Sequence, residues 1–392
     1  MSRPTFSIIN KGVEKSGDYA PILEELVLTD STTEKADAIK IKISDIGNRI
    51  ELPTKGEKIT VSIGQDGTMT RTGIYVIDGV RLVGPPDIIE ITGAACPFSD
   101  ADTLTAMQSR KSRSWDNITL GQLVSGIAGE HGLTAAVSSE FAPVNVPHVD
   151  QTAESDNNLL TRMARLYGAV FKPTFQKLVF TRGGEGNTST GAPVGTLAIA
   201  RGIGMKYDAT FSKRTNFTGA KVCYHDCDAG ETGDFTAGLN DDEKKLYREG
   251  KLEASAPQAK AKAWSKLREL KRGSQIVTVD LPGCWKATAE QKVSLTGWRK
   301  EINGIWIAKK VVFTLTRGAG WRTKIDCEIP VAPSSGTAEG PDDGGSLFGV
   351  DEQNDAATPG AEDSDASQES ATSDNAEEQD TSLPVPGALP EP

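Results

Sequence analysis

Three groups of residues in this 392-residue sequence have types and spacings that could carry chemistry. In "CYHDC", Cys223, His225 and Cys227 alternate along one face of a strand and could offer soft ligands to a metal. A closed zinc site needs a fourth ligand, and neither His131, His148 nor the other cysteines form a second cluster, so no metal is expected. The glycine-rich "RGGEGNTSTG", Arg182 to Gly191, lacks the Gly-Lys-Ser/Thr ending that reaches a bound phosphate and reads as a hairpin loop. The third group is "QTAESDNNLLTRMARLYGAVF", Gln151 to Phe171, where Glu154 and Asp156 stand close together. Paired-carboxylate catalysis needs a second convergent group, and none is near in the sequence. A helix start accounts for the same residues: Ser155 as N-cap, with Asp156 and Asn157 in the first turn. Leu159, Leu160, Met163, Ala164 and Tyr167 then follow at helical spacing, and Gly168 sits where a left-handed cap ends the helix. The three histidines have no nucleophile motif beside them. The expectation is a non-enzyme with no catalytic residue and no cofactor.

Composition narrows the class. The net charge of −11 is unevenly placed: residues 331–392 hold fifteen of the 54 acidic groups and no Lys or Arg, which leaves 43 basic against 39 acidic groups in the body. A near-neutral body offers no basic stripe for a dedicated nucleic-acid binder. The five cysteines, Cys96, Cys223, Cys227, Cys284 and Cys327, are scattered and odd in number, which argues for a reducing compartment rather than a disulfide framework. No leader or membrane-spanning run is read, and the chain is expected to be soluble.

Hydrophobic periodicity divides the chain. Residues 1–96 alternate, as in "DAIKIKISD" and "KITVSIG", and predict a small antiparallel barrel. Residues 97–204 switch period: "NITLGQLVSGIAGEHGL" offers Thr119 and Gln122 as a capping box and Gly132 as terminator, and strands "AVFKP" and "KLVFTR" follow, so a middle α+β region is expected. Residues 205–330 return to strands around one helix, "PQAKAKAWSKLRELKRG". Residues 331–392 read as a disordered acidic tail. "KITVSIG" with "GIYVIDGV" parallels "QKVSLTG" with "GIWIAKKV", aligning Gly73 with Gly304 and Val80 with Val311. That parallel suggests two copies of one barrel.

Gln151, then Glu154-Ser155-Asp156, then "NLLTRMARLYGAVF" with Leu160, Tyr167 and Gly168, resembles the signature of the phage late control protein D family. That family forms the tail baseplate hub and is related to the hub portion of type VI secretion spike proteins. Asn158 and Leu159 stand here in place of the family's usual Phe-Leu or Tyr-Leu. "LVLTDSTTEKADAIKIKISD", "TLGQLVSGIAGEHGL" and "INGIWIAKKVVFTLTRGAGWRTKIDCEI" extend the resemblance to the family's first barrel, LysM-like helix and last barrel strands. The resemblance implies a mainly β fold with an α+β insertion and two small tube-like barrels. It implies a homotrimer whose six barrels join a six-fold tail tube protein to a three-fold central spike protein. Contacts with the tape-measure protein and other baseplate proteins, and DNA in transit through a channel, come with it. The location implied is the virion tail, after synthesis in the host cytoplasm. The alternatives are a hub of a tailocin or type VI-like injection particle that delivers no DNA, and a hub-fused cell-wall hydrolase.

Overall fold

The computed structural model describes residues 4–32, 37–95, 106–174, 177–184, 186, 194–212, 217–227, 229–238 and 245–330. The acidic tail and most of the Arg182 to Gly191 loop lie outside the described residues. The chain is mainly β, with few helices.

The first half comprises β1 (Pro4–Asn10), β2 (Val13–Glu14), β3 (Leu23–Ser31), β4 (Ala38–Ser44), β5 (Lys58–Gln65), β6 (Thr68–Val83) and β7 (Ile88–Ala95), with a short α1 (Ser16–Tyr19). Period-2 alternation sends one face of each strand inward. In β4, Ile39, Ile41 and Ile43 are buried, while Lys40 and Lys42 pair with Glu25 on the other face. The middle region holds β8 (Arg110–Thr119), α2 (Leu120–Glu130), β9 (Thr134–Val137), β10 (Asn145–Ser155), α3 (Asp156–Tyr167), β11 (Ala169–Thr174) and β12 (Lys177–Arg182). The Thr119–Gln122 capping box forms at the start of α2. β8 and β10 make a two-stranded ribbon that the alternation of apolar residues did not reveal, because "RKSRSWDNIT" is polar on both faces.

The second half holds β13 (Leu197–Ala200), β14 (Lys206–Phe211), β18 (Gln275–Pro282), β19 (Lys292–Thr296), β20 (Gly304–Thr316) and β21 (Gly320–Glu328). Between β14 and β18 the chain inserts β15 (Gly219–Asp226), β16 (Glu231–Gly238), β17 (Leu246–Arg248) and α4 (Ala256–Arg272). Ala259, Ala263 and Leu267 of α4 share a small core with Ala220, Val222 and Ala237 of the three-stranded sheet beneath.

The two halves repeat one topology. The hydrogen-bonded order β3-β4-β7-β6-β5-β1 recurs as β14-β18-β21-β20-β19-β13. Register agrees as well: Gly93 opposes Ile77 and Ile39, and its counterpart Cys327 opposes Ala308 and Val277. β6 carries a bulge between Ile77 and Gly79, and β20 carries one between Ala308 and Lys310, equally far from Gly73 and Gly304. Only the sixth strand differs in direction, β1 running antiparallel to β5 and β13 parallel to β19. A bulge bends and twists its strand, so β20 pairs with β19 through its first residues and with β3 through Lys310 to Thr316. That second pairing fuses the halves into one 13-stranded sheet over one continuous core, running from Ile8 to Cys327.

Candidate functional site: a buried acidic cluster and its neighbours

The side chains singled out around Gln151 to Gly168 come together at the junction of the β8–β10 ribbon with α2 and α3. Ser155 caps α3 by accepting a hydrogen bond from the Asn158 amide at 3.3 Å. Leu159, Leu160 and Met163 point into the middle core. Asp156 does more than favour the helix dipole, because it is fully buried and accepts from four side chains. Arg113 Nη2 and Gln151 Nε2 reach its Oδ1, each at 2.8 Å. Lys111 Nζ, at 2.7 Å, and His131 Nε2, at 2.8 Å, reach Oδ2. Burial alone would raise this carboxyl, but the hydrogen bonds from Lys111, His131 and Gln151, together with the charge of Arg113, hold it down at about 2. Gln151 is also buried and ties the ribbon's bulge to the helix by donating to the Glu154 carbonyl at 2.8 Å.

A second carboxylate does converge on Asp156, and it comes from far away in the chain. Glu130, at the end of α2, binds both Lys111 and Arg113. Glu130, His131 and Asp156 offer ligand atoms within 4.8 Å of one another, while among the described residues Cys223, His225 and Cys227 form no such group. Two cations already lie against the acidic cluster, which gives it the character of a closed ion network. Chemistry that needs a free carboxylate pair has no purchase on it.

The remaining residues of the stretch are structural in their surroundings. Glu154 is half-buried and receives Nε and Nη2 of the exposed Arg162 at 3.3 and 2.9 Å. Exposed pairs of this kind are worth at most ~1 kcal/mol, so Glu154→Gln is expected to leave the melting temperature within ~2 °C of the parent, measured by circular dichroism. Burial pushes the Tyr167 hydroxyl up to about 12. Gly168 ends α3 with φ +71, and a Cβ there would approach Ser265 of α4 to 3.2 Å. Ser265 Oγ donates to the Arg165 carbonyl at 2.9 Å, so the glycine allows the second half's helix to dock on α3.

A second network, missed in the sequence, locks the three regions together. Asp30 of β3 accepts from Arg71 of β6, from Lys172 Nζ of β11 at 2.9 Å and from the Ala289 amide at 3.0 Å. Lys172 also donates to Asp37 at 2.9 Å and to the Ser31 carbonyl at 3.2 Å. Burial opposes ionisation of Asp30, yet the Lys172 and Arg71 charges keep its carboxyl down at about 2. Asp37 is raised, chiefly by burial, and the Asp30 charge adds to that rise against the pull of Lys172. Arg71 stacks over the Phe313 ring, 5.0 Å from its centroid, and donates to the Ala287 carbonyl, which carries the link into the second half.

An open groove of about 1080 Å³ runs between β10 and α3 on one side and residues 251–262 on the other. Its polar lining includes Arg110, Asp150, Glu154, Arg162, Lys251 and Lys262. Asp150 and Glu154 are engaged by His148 and Arg162 respectively.

No model of a known protein family matches the chain. The probable baseplate hub protein of Escherichia phage 186 is 27% identical to it over 384 residues, an alignment covering 87% of this chain and 96% of that protein. The probable baseplate hub protein of Escherichia phage P2 is 30% identical over 217 residues, covering 55% of each. Among solved structures, the 43 kDa tail protein of prophage MuSo2 from Shewanella oneidensis superposes with a TM-score of 0.62 at 16% identity, covering 83% of this chain and 98% of that one. A tail protein from Neisseria meningitidis MC58 gives 0.60 at 15%, covering 83% and 96%. At such identities the structural likeness concerns the fold alone.

Proposed function

We propose that this chain, a homologue of the baseplate hub proteins of Escherichia phages 186 and P2, is itself the baseplate hub of a phage tail and acts as a structural component of the virion. The observation that carries the reading is the internal duplication, found in a chain that aligns with 96% of the phage 186 hub. Three copies of a chain with two equivalent six-stranded halves present six similar units around an axis. Such a ring can face a six-fold tail tube on one side and a three-fold spike on the other, resolving the mismatch within the chain. On this reading the hub is a trimeric adaptor around a passage for DNA, in contact with tube, spike, tape-measure and other baseplate proteins. The two ion networks favour a scaffold over an enzyme, because they commit the buried carboxylates of Asp30 and Asp156 to holding regions together.

The test is the mass of the purified protein by light scattering, followed by averaged images down the particle axis. Three chains of 41.7 kDa each and six lobes around a pore are expected. A monomer at micromolar concentration, or a hexamer showing one lobe per chain, would overturn the trimeric adaptor.

A further inference from the structure

The ribbon of the middle region has an edge that no strand of the described residues covers. β10 pairs with β8 alone, so the backbone groups along its other side meet no ladder. That side opens into the groove between β10 and α3 on one flank and residues 251–262 on the other. The strand lines the groove from His148 to Ser155, a run of roughly 20 Å at ~3.3 Å per residue. Its bulge comes only after Gln151, and His148 to Gln151 keep a regular register on β8. An uncovered edge of this kind is a template for a further strand.

Arg162 of α3 already answers part of that edge. Its Nη2 donates to the Asp150 carbonyl at 2.8 Å, so this carbonyl turns away from β8 and toward the groove. A guanidinium stands where the amide of an added strand would donate. The opposite flank also offers backbone. Glu253 spends both its main-chain groups on β15, donating to the Cys223 carbonyl and accepting from the His225 amide, each at 3.0 Å. Neighbours in an extended chain turn their groups the other way, which directs those of Leu252 and Ala254 away from β15. Both residues line the groove, and the Leu252 side chain is 57% exposed.

Charge selects the occupant. Of the three carboxylates in the lining, Asp150 and Glu154 are committed to His148 and Arg162. Arg110, Lys251 and Lys262 make no ion pair among the described residues and have only Glu253 to set against them. The groove is therefore left positive. We infer that it takes an extended, acidic segment of a partner protein, which adds a strand to the open edge of β10 and sets its carboxylates against Arg110, Lys251 and Lys262. An amide of the segment takes the Asp150 carbonyl over from Arg162, and Leu252 receives an apolar side chain. In strand addition the backbone supplies affinity and the flanking side chains choose the sequence. The inference goes beyond the hub reading and needs no copy number, because the whole groove is built within one chain.

The probe is a fluorescein-labelled peptide of about eight residues, alternating aspartate with valine, titrated with the full chain at low salt and followed by fluorescence anisotropy. Saturable binding is expected. Lys251→Glu combined with Lys262→Glu should weaken it about ten-fold or more, since two attractive pairs become repulsive, while the circular dichroism spectrum stays that of the parent. N-methylating every second amide of the peptide keeps its charge and removes donors, and one of the two alternating patterns should weaken binding to a similar extent. No binding at ~1 mM peptide, equal binding of a lysine-valine peptide, or a double variant as tight as the parent would overturn the site. If both N-methylated peptides bind unweakened and a short oligothymidylate competes at the same lysines, strand addition is overturned and the groove belongs to phosphates. None of these outcomes bears on the particle mass that decides the trimeric hub.

Discussion

Asp156→Ala is expected to lower stability by about 3–5 kcal/mol, the range for removing one member of a buried charge network and stranding the rest. Lys111, Arg113, His131 and the Gln151 amide would lose their shared buried acceptor, leaving Lys111 the partly exposed Glu130 and Arg113 that same Glu130 together with Gln151 Oε1. For a chain of this size the melting midpoint should fall on the order of 10 °C. The acid limb gives an independent reading. In the folded chain this carboxyl is held at about 2, against an ordinary 3.8. Its contribution is therefore complete above pH ~4 and lost as pH falls toward ~2, a loss on the order of 2 kcal/mol. Asp30 is depressed to the same extent and acts in the same window. The variant should consequently show a shallower loss of stability between pH ~4 and ~2 than the parent, with Asp30 among the depressed carboxyls that account for what remains. A midpoint within ~2 °C of the parent at neutral pH would mean that the cluster behaves as a surface pair.

Lys172→Met should be comparably damaging at pH 7, about 3–5 kcal/mol, because it strands two carboxylates at the meeting point of the three regions. Asp30 keeps Arg71 and the Ala289 amide, whereas Asp37 keeps only the Ser31 amide as a donor among the described contacts. Since burial already raises Asp37 above its ordinary range, losing Lys172 should raise it further. A carboxyl whose folded-state value is raised costs stability as pH rises through the range where the unfolded chain ionises and the folded chain resists. The deficit of the variant should thus be larger at pH 7 than at pH 5. Lys172→Met combined with Asp37→Asn should recover part of the loss, because the stranded charge is gone. Urea titrations at the two pH values measure both effects. A pH-independent deficit, or a double variant no better than the single, would assign Lys172 a packing role through its alkyl chain instead.

Both variants act on residues of very different legibility. Local periodicity determined the strands, because an alternating Ile-Lys-Ile-Lys-Ile run such as β4 can bury one face in only one conformation. Local hydrogen-bonding chemistry likewise determined the ends of α2 and α3, where Thr119, Ser155 and Gly168 act within a few residues of themselves. The duplication was visible at Gly73 and Gly304 because both copies must make the same fork in the sheet, and the bulge that makes it leaves a matching pattern in β6 and β20.

Tertiary structure alone decided who pairs with whom. Asp156 looked like a helix-start residue because its cations arrive from β8, 43 and 45 positions earlier, on a strand with no apolar alternation to announce it. Lys172 finds Asp30 across 142 positions, and Ala289 finds it across 259. A charge carries no local periodicity that encodes its partner; the partner is set by which backbones the core brings together. The same holds for the fusion of the two halves: each alternating strand specifies its inner face, but that β20 meets β3 while β6 and β14 stay open follows from the single geometry in which both halves share one core.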